Sequence, residues 1–285
     1  MNLEEKKYLE LLQSIVENGS DKSDRTGTGT KSIFGTTLRF SLKDNKVPVL
    51  TTKKMFLKGI IEELLFFIRG ETNTKLLEEK GVNIWKGNTS REFLDKKGLG
   101  HLPEGSLGYG YGWQWRNFNG TESEKGVDQL SDVIEQIKSN PDSRRHLVIA
   151  WNPSQLKDMA LEPCHMMFQF YVCDGELSLL WYQRSVDTFL GLPFNILSYA
   201  ILTRLVAEAC SLKAKEIVFM GGDTHVYTNH LNAVSQQVVR EPYDFPTMEI
   251  LDPVTSLQDM EKLSLTSFVF NNYKCYASIK AEMAV

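Results

Sequence analysis

At 285 residues and 42% hydrophobic content the chain can bury a substantial core, as one large domain or two small ones, and its formal charge of -4 argues against a protein built mainly to coat nucleic acid. No apolar run approaches the roughly 18 residues of a membrane span, and Met1-Asn2-Leu3-Glu4-Glu5-Lys6-Lys7 lacks an apolar signal core. The cysteines, Cys164, Cys173, Cys210 and Cys275, form neither a CxxC pair nor a dense disulfide pattern, so reduced thiols in the cytoplasm are expected and a metal site is not.

Tyr8, Leu11, Leu12, Ile15 and Val16 recur at helical spacing up to Gly19, predicting an amphipathic helix with a glycine stop. Asp24-Arg25-Thr26-Gly27-Thr28-Gly29-Thr30 follows as a loop whose Arg25 offers a forked anion contact, without the lysine-serine ending of a Walker loop. Leu38, Phe40 and Leu42 alternate as a strand closed by Val47-Pro48. Residues 58–69 read as a mostly buried helix carrying two adjacent glutamates. Glu62 has Lys58 one turn back and Arg69 two turns on. Glu63 instead meets Ile60, Phe66 and Phe67, which points either to a desolvated carboxylate with a raised pKa or to a side chain that snorkels or pairs with a base.

Between Val82-Asn83-Ile84-Trp85 and Gly108-Tyr109-Gly110-Tyr111-Gly112-Trp113-Gln114-Trp115-Arg116 lies a polar segment with little periodicity. It reads as a surface excursion around residues 86–107 of a single domain covering residues 1–285. Val127, Leu130, Val133, Ile134 and Ile137 predict a further helix stopped by Asn140-Pro141. Asp142-Ser143-Arg144-Arg145 then leads into a strand over residues 146–151. Adjacent arginines diverge in regular structure, so gripping one anion with both requires an irregular loop.

The strongest local signal is Asp174-Gly175, a two-residue turn between aromatic and apolar runs, which predicts that residues 164–173 and 176–185 pair antiparallel. With no bulge, Cys173 faces Glu176, Cys164 lies beside Ser185 and His165 beside Arg184. Strict alternation sends Arg184 to the face away from the thiol, and a β-bulge near the open end is expected to bring it back. Asp187-Thr188-Phe189-Leu190-Gly191-Leu192-Pro193-Phe194-Asn195 turns into an apolar helix ending near Cys210, with Asn195 near its start as a possible N-cap. Residues 217–220 predict a short strand, after which Gly221-Gly222-Asp223-Thr224-His225-Val226-Tyr227 leads into a helix. A strand-like run around Ile279 precedes the tail Met283-Ala284-Val285.

A thiol, a carboxylate in apolar surroundings, arginines at several places and an Asn, His and Tyr together suit covalent chemistry on a phosphate-bearing polar ring. Blocks spread over nearly the whole chain carry a specific resemblance: Glu63-Leu64-Leu65, Gln114-Trp115-Arg116, Pro163-Cys164-His165, Gln183-Arg184-Ser185-Val186-Asp187, Leu190-Gly191-Leu192-Pro193-Phe194-Asn195 and Gly222-Asp223-Thr224-His225-Val226-Tyr227. The chain resembles the thymidylate synthase family. That resemblance implies an α/β (α+β) fold, a large mixed sheet packed with helices, and a homodimer with the sheet at its interface. It also implies conversion of dUMP to dTMP, with 5,10-methylenetetrahydrofolate as co-substrate giving carbon and hydride and leaving as dihydrofolate. No metal and no nucleic acid are required.

By the same resemblance Cys164 adds to C6 of uracil, Glu63 organises water and protons near the uracil carbonyl, and Tyr111 assists loss of the C5 proton. Arg25, Arg184 and Ser185 hold the dUMP phosphate, joined by Arg144 and Arg145 of the other subunit. The positive charge is expected to lower the pKa of the thiol. Gln183, Asp187, Asn195, His225 and Tyr227 complete the dUMP site, Asn195 reading the uracil edge and His225 and Tyr227 holding the ribose. Ile84, Trp85, Asn88, Leu190, Gly191, Phe194 and Ala284 face the folate, with Asp187 on the pterin edge. Lys53 and Lys54 are candidates for the folate's anionic end.

Two departures stand out. Asn88 occupies a position where many family members carry tryptophan, and glycine at both 108 and 110 replaces a proline-containing approach to Tyr111, which is expected to loosen that loop. A dCMP hydroxymethylase of the same family is opposed by Asn195, where that branch resembles an acidic residue. A Cys-His hydrolase is opposed by the opposite directions of adjacent strand residues. A non-enzymatic nucleotide or RNA-binding module is the remaining alternative. No reductase domain is expected in the chain, so another protein is expected to recycle dihydrofolate.

Overall fold

In the computed structural model, which describes residues 2–283, the first helix, α1 (Leu3–Asn18), forms as its spacing predicts. The Asn2 side chain accepts from the Glu5 amide, Tyr8, Leu12 and Ile15 are buried, and the Gly19 amide closes the helix on the Ile15 carbonyl. The buried Glu5 carboxylate accepts from the amides and hydroxyls of Thr51 and Thr52, which satisfies it and pins the chain just before Lys53.

Strands β1 (Ser20–Lys22), β2 (Thr30–Ser41), β3 (Leu147–Ile149), β4 (His165–Cys173), β5 (Glu176–Asp187) and β6 (Lys213–Tyr227) form one sheet in the order β1-β2-β6-β5-β4-β3. Only β5 and β6 run parallel among these neighbours, so the sheet is mixed. A second, two-stranded sheet pairs β7 (Thr247–Ile250) with β8 (Phe268–Asn271), and the run around Ile279 is not a strand. Helices α2 (Leu57–Ile68), α3 (Lys75–Glu78), α4 (Arg91–Lys96), α5 (Tyr111–Asn117), α6 (Gln129–Ser139), α7 (Gly191–Ala209), α8 (Leu231–Val238) and α9 (Leu257–Lys262) complete the described elements, with several short 3-10 turns.

The α+β architecture with a large mixed sheet is thus the expected one. Helices α1 and α7 pack on the sheet, and α7 is buried almost all round, consistent with its near-continuous apolar sequence. On the other face, register aligns Ile149, Met167, Tyr182 and Met220 in one row across four strands. Ile149, Tyr171 and Met220 of that face are exposed.

The hairpin follows its turn and then departs from it. Cys173 faces Glu176 as predicted, but between His165 and Met167 the register slips by one, so His165 pairs with Gln183. The Arg184 amide consequently donates to the Cys164 carbonyl at 2.8 Å, and not to a residue one step away. The bulge is present; the partners counted without it are each displaced by one residue.

Strand β6 is 15 residues long where a short strand and a glycine break were expected. Gly221 and Gly222 lie inside it because a Cβ on either would stand 2.6 Å from Thr224 Oγ1 or 2.8 Å from the Tyr182 hydroxyl. Glycine here permits close approach to neighbouring groups and ends nothing. Helix α7 begins at Gly191, so Asn195 lies inside its first turns and caps nothing. Glu62 pairs at 2.6 Å with Lys80, 18 residues on, and not with Lys58 or Arg69. The excursion carries α4, and its Leu94 and Leu99 form a small buried cluster with Ala160.

Candidate active site

A cleft of about 350 Å³ opens where the ends of β5 and β6 meet the starts of α5 and α7. That volume is in the range of small-molecule sites. Cys164 stands at its inner wall, on the irregular stretch before β4, with the bulge one step further along. The Cys164 amide donates to the Tyr111 hydroxyl at 2.7 Å, fixing thiol and phenol relative to each other. Tyr111 stacks on His165 with ring centroids 4.1 Å apart.

Burial pushes the Cys164 thiol above its ordinary pKa, against the pull of the Arg184 and Arg25 charges. The expected lowering is therefore not found within one chain: desolvation of the thiolate outweighs the positive charge that this chain brings near it. Burial also pushes the Glu63 carboxyl up to about 7, opposed by the Trp85 indole N–H, which donates to Glu63 at 2.7 Å. Of the two readings open for Glu63, the raised pKa favours the desolvated carboxyl, and among the described residues no basic side chain pairs with it.

Gly108, on the approach to Tyr111, is tightly packed and not a loosening element. Gly108 has φ +63, and a Cβ there would stand 2.0 Å from the Asp158 carbonyl oxygen, so close packing demands glycine. The Tyr109 carbonyl accepts from Gln114 Nε2 at 2.9 Å, which ties the loop to α5.

Gln183, Ser185 and Asp187 enter the cleft from β5, while His225 and Tyr227 enter from β6. Parallel pairing sets Asp187 opposite His225. His225 is held through Nδ1 by Asp223 at 3.1 Å, and Asp223 also accepts from Ser32 at 2.6 Å and from Lys22. Burial favours the neutral form of Asp223, yet Lys22, Ser32 and His225 together hold its carboxyl below the usual range. Burial lifts the Tyr227 phenol to about 12.

Helix α7 brings Gly191, Phe194 and Asn195 into the cleft, and the Asn195 amide makes no side-chain hydrogen bond to any described residue. Asp187 Oδ1 accepts from the Phe189 and Leu190 amides, each at 3.1 Å, and so organises the turn into α7. Ile84, Trp85, Leu190 and Phe194 form an apolar wall, with Asn88 beside it.

Four of the expected arginines do not line the cleft. Arg184 holds the Pro163 carbonyl at 2.9 Å and the Glu162 carbonyl at 3.1 Å, with its guanidinium over the Trp151 ring, so it braces the cysteine loop. Arg25 is exposed, 5.9 Å from the Phe93 ring centre. Arg144 and Arg145 are exposed just before the edge strand β3. Lys53 is also misplaced by the sequence reading: it is buried, donates to the Phe189 carbonyl and sits over the Phe189 ring. Burial brings its ammonium down to about 7 against the pull of Asp187. Lys54 is exposed away from the cleft lining. Ala284 lies outside the described residues, whereas Met283 before it lines the cleft.

Sequence reasoning missed His165 and Leu161. Alternation was expected to turn His165 away from Cys164, but Cys164 precedes the strand, so both line the cleft. His165 is nonetheless no base for the thiol: burial holds it down to about 3, and its Nδ1 is 2.7 Å from the Tyr199 hydroxyl. Among the described residues no cluster of His, Cys, Asp and Glu suits a metal ion. Likewise, no described helix is long and apolar enough to cross a membrane.

A family model described as thymidylate synthase matches residues 6–285. The chain is 48% identical over 99% of its length to a bifunctional dihydrofolate reductase-thymidylate synthase of Zea mays, of which it covers 55%. It is 50% identical over 100% of its length to the enzyme of the same description from Leishmania major, covering 56% of it. A thymidylate synthase of Ascaris suum is 47% identical, with 100% of this chain and 98% of that protein aligned. The chain thus spans a little over half the length of the bifunctional relatives and nearly all of the Ascaris protein.

Proposed function

Because the chain belongs to the thymidylate synthase family, we propose that it methylates dUMP to dTMP with 5,10-methylenetetrahydrofolate and releases dihydrofolate. The observation that carries this reading is one cleft holding a thiol, a carboxyl raised to about 7 and an amide unpartnered among the described residues, against an apolar wall.

In this reading the Cys164 thiolate adds to C6 of the uracil, forming a carbon-sulfur bond and making C5 nucleophilic. The Asn195 amide both donates and accepts, which matches the N3–H and O4 edge of uracil. Glu63 holds and moves protons near the same carbonyl, its raised pKa keeping a proton available around neutral pH. Tyr111, fixed by the Cys164 amide, is positioned to assist loss of the C5 proton. His225 and Tyr227 take the ribose, Gln183 and Ser185 line its approach to the phosphate, and Arg25 and Arg184 supply charge from just outside the cleft.

The wall of Ile84, Trp85, Leu190 and Phe194 suits a flat ring system, and Asp187 Oδ2, without a hydrogen-bond partner among the described residues, suits a pterin edge while Oδ1 holds the α7 turn. Asn88, Gly191 and Met283 border that ring. When bound, the folate supplies the one-carbon unit and the hydride. The protein's part is to orient it and keep water away.

Arg144 and Arg145 suit a second copy's phosphate site. They are exposed at the sheet edge, and the apolar row of Ile149, Met167, Tyr182 and Met220 offers a surface for a symmetric homodimer. Such a partner would add two positive charges to the site and counter the burial that now disfavours the thiolate. Four free cysteines accord with a reducing, cytoplasmic setting.

The test is tritium release from 5-tritiated dUMP, read with dihydrofolate formation and a parallel dCMP reaction. Release coupled to dihydrofolate with dUMP alone is expected. Release from dCMP without folate oxidation would point to hydroxymethyl transfer, and no release from the folded dimer would sink the catalytic reading.

A further inference from the structure

The excursion between Trp85 and Gly108 is docked on the stretch that carries the nucleophile. Lys97 donates from Nζ to the Ala160 carbonyl at 2.9 Å and to Glu162 Oε1 at 2.8 Å, while Leu94 and Leu99 bury themselves against Ala160. Arg184 grips the same stretch from β5 through the Glu162 and Pro163 carbonyls. Residues 160–164 have no helix or strand of their own, so these contacts set their path together with the Ala160 amide on the Leu107 carbonyl and the Cys164 amide on the Tyr111 hydroxyl.

We propose that Lys97 is a positioning residue for Cys164: its ion pair with Glu162 holds the cysteine loop and cancels a carboxylate charge that would otherwise oppose the thiolate. The proposal rests on Cys164 acting as the nucleophile.

Electrostatics supports this pairing. Glu162, two residues from Cys164, works against its ionisation, as does Asp187, while Arg184 and Arg25 favour it. Glu63, Tyr111, His165, His225 and Tyr227 face the same cleft. Burial raises the Glu162 carboxyl, but Lys97 and Arg184 outweigh it and hold Glu162 ionised, below its usual range. An ionised Glu162 without Lys97 would present a full negative charge to the thiol. With Lys97 the pair is neutral at long range, and Asp187 is the carboxylate left opposing the attraction to Arg184.

The experiment is peptide-resolved alkylation of Cys164 by iodoacetamide from pH 6 to 10, in the full chain in its native assembly, with tritium release measured in parallel. Lys97→Met is expected to slow alkylation at pH 7 by roughly three- to tenfold and to move the profile to higher pH. Lys97→Arg should keep the native profile, and Lys97→Met with Glu162→Gln should return towards it. Glu162→Gln alone, with Lys97 intact, should speed alkylation, which keeps the idea testable if Lys97→Met does not fold. An unchanged profile in Lys97→Met, or a double variant as slow as the single one, overturns the electrostatic role. These shifts without tritium release from the native protein would uphold the inference and reject the proposed reaction; normal release with an unmoved profile would do the reverse.

Discussion

The two ends of the β4–β5 hairpin each carry a cysteine, yet they are built on opposite rules. At the tip, Asp174 and Gly175 take φ of 53 and 72, the left-handed pair of a tight hairpin turn, and Cys173 faces Glu176 in the register that such a turn dictates. The Cys173 thiol is 3.4 Å from the carboxylate of the neighbouring Asp174. Roughly 30 Å away along the strand, the open end slips register, and Cys164 meets Tyr111 from α5, Arg184 from β5 and Lys97's partner Glu162. Local turn chemistry is enough to build the tip. The open end breaks the local rule because several distant segments converge on it, and that convergence makes one thiol part of a cleft and leaves the other at a turn.

The sharpest break of this comparison is chemical. Cys164→Ser is expected to lower turnover by at least about a thousandfold while dUMP still binds, since an alcohol is a far poorer nucleophile than a thiolate. Cys173→Ser should leave turnover within about twofold. Tritium release and equilibrium binding on both variants decide it, and full activity in Cys164→Ser would remove the nucleophile from the mechanism. A smaller effect is expected at Asn195, whose amide has no side-chain partner among the described residues. Asn195→Asp exchanges a group that donates for one that only accepts when ionised, and should shift the preference between dUMP and dCMP by at least about tenfold towards dCMP. Unchanged discrimination in parallel kcat/KM measurements would take base reading away from Asn195.

Much of this contrast was legible in the sequence, and what was not has physical causes. Asp174-Gly175 gave away the tip, and the apolar neighbours of Glu63 on its own helix raised desolvation as one of two readings, because both signals act over a few residues. Gly221-Gly222 misled because a glycine pair reads alike whether it ends a strand or lets two strands close in. The Glu62–Lys80 pair and the burial of Lys53 under Phe189 join segments 18 and 136 residues apart, beyond any periodicity. The bulge was foreseeable as a need, since Arg184 otherwise faces away. Its outcome was not: Arg184 braces the loop and does not enter the cleft.

Glu63 sharpens the comparison in energetic terms, because a site group held against its preference costs stability. Its folded pKa of about 7 lies above the ordinary carboxyl value, so the folded state binds a proton that the unfolded state has released. The protonated group therefore adds no penalty below the unfolded pKa, and stability is lost as pH rises from about 4.5 through about 7. At pH 8 the penalty is at most about 3 kcal/mol. Glu63→Gln should flatten this slope, unfolding at higher urea than the native protein at pH 8 and about equally at pH 4, while turnover falls by about tenfold or more. Parallel pH slopes for the two proteins in urea titrations would mean that Glu63 is not desolvated in solution.

The smallest effect belongs to the tip, and it tests whether the two ends are separable at all. Gly175 has φ 72 with nothing within 4 Å of where a Cβ would be, so Gly175→Ala meets no clash and its cost is the left-handed backbone alone, about 1 kcal/mol. Asn tolerates that conformation better than Ala, so Gly175→Asn should cost less. Neither change reaches Cys164, because the open end takes its register from the bulge and from the Arg184 amide on the Cys164 carbonyl. Both variants should therefore lose stability in the order Asn then Ala, with kcat and the Cys164 alkylation profile unchanged at temperatures where the fold is intact. A fall in kcat that tracks the loss of stability would mean that strain at the turn travels the length of β4, and the division between a tip set locally and a site set by convergence would not hold.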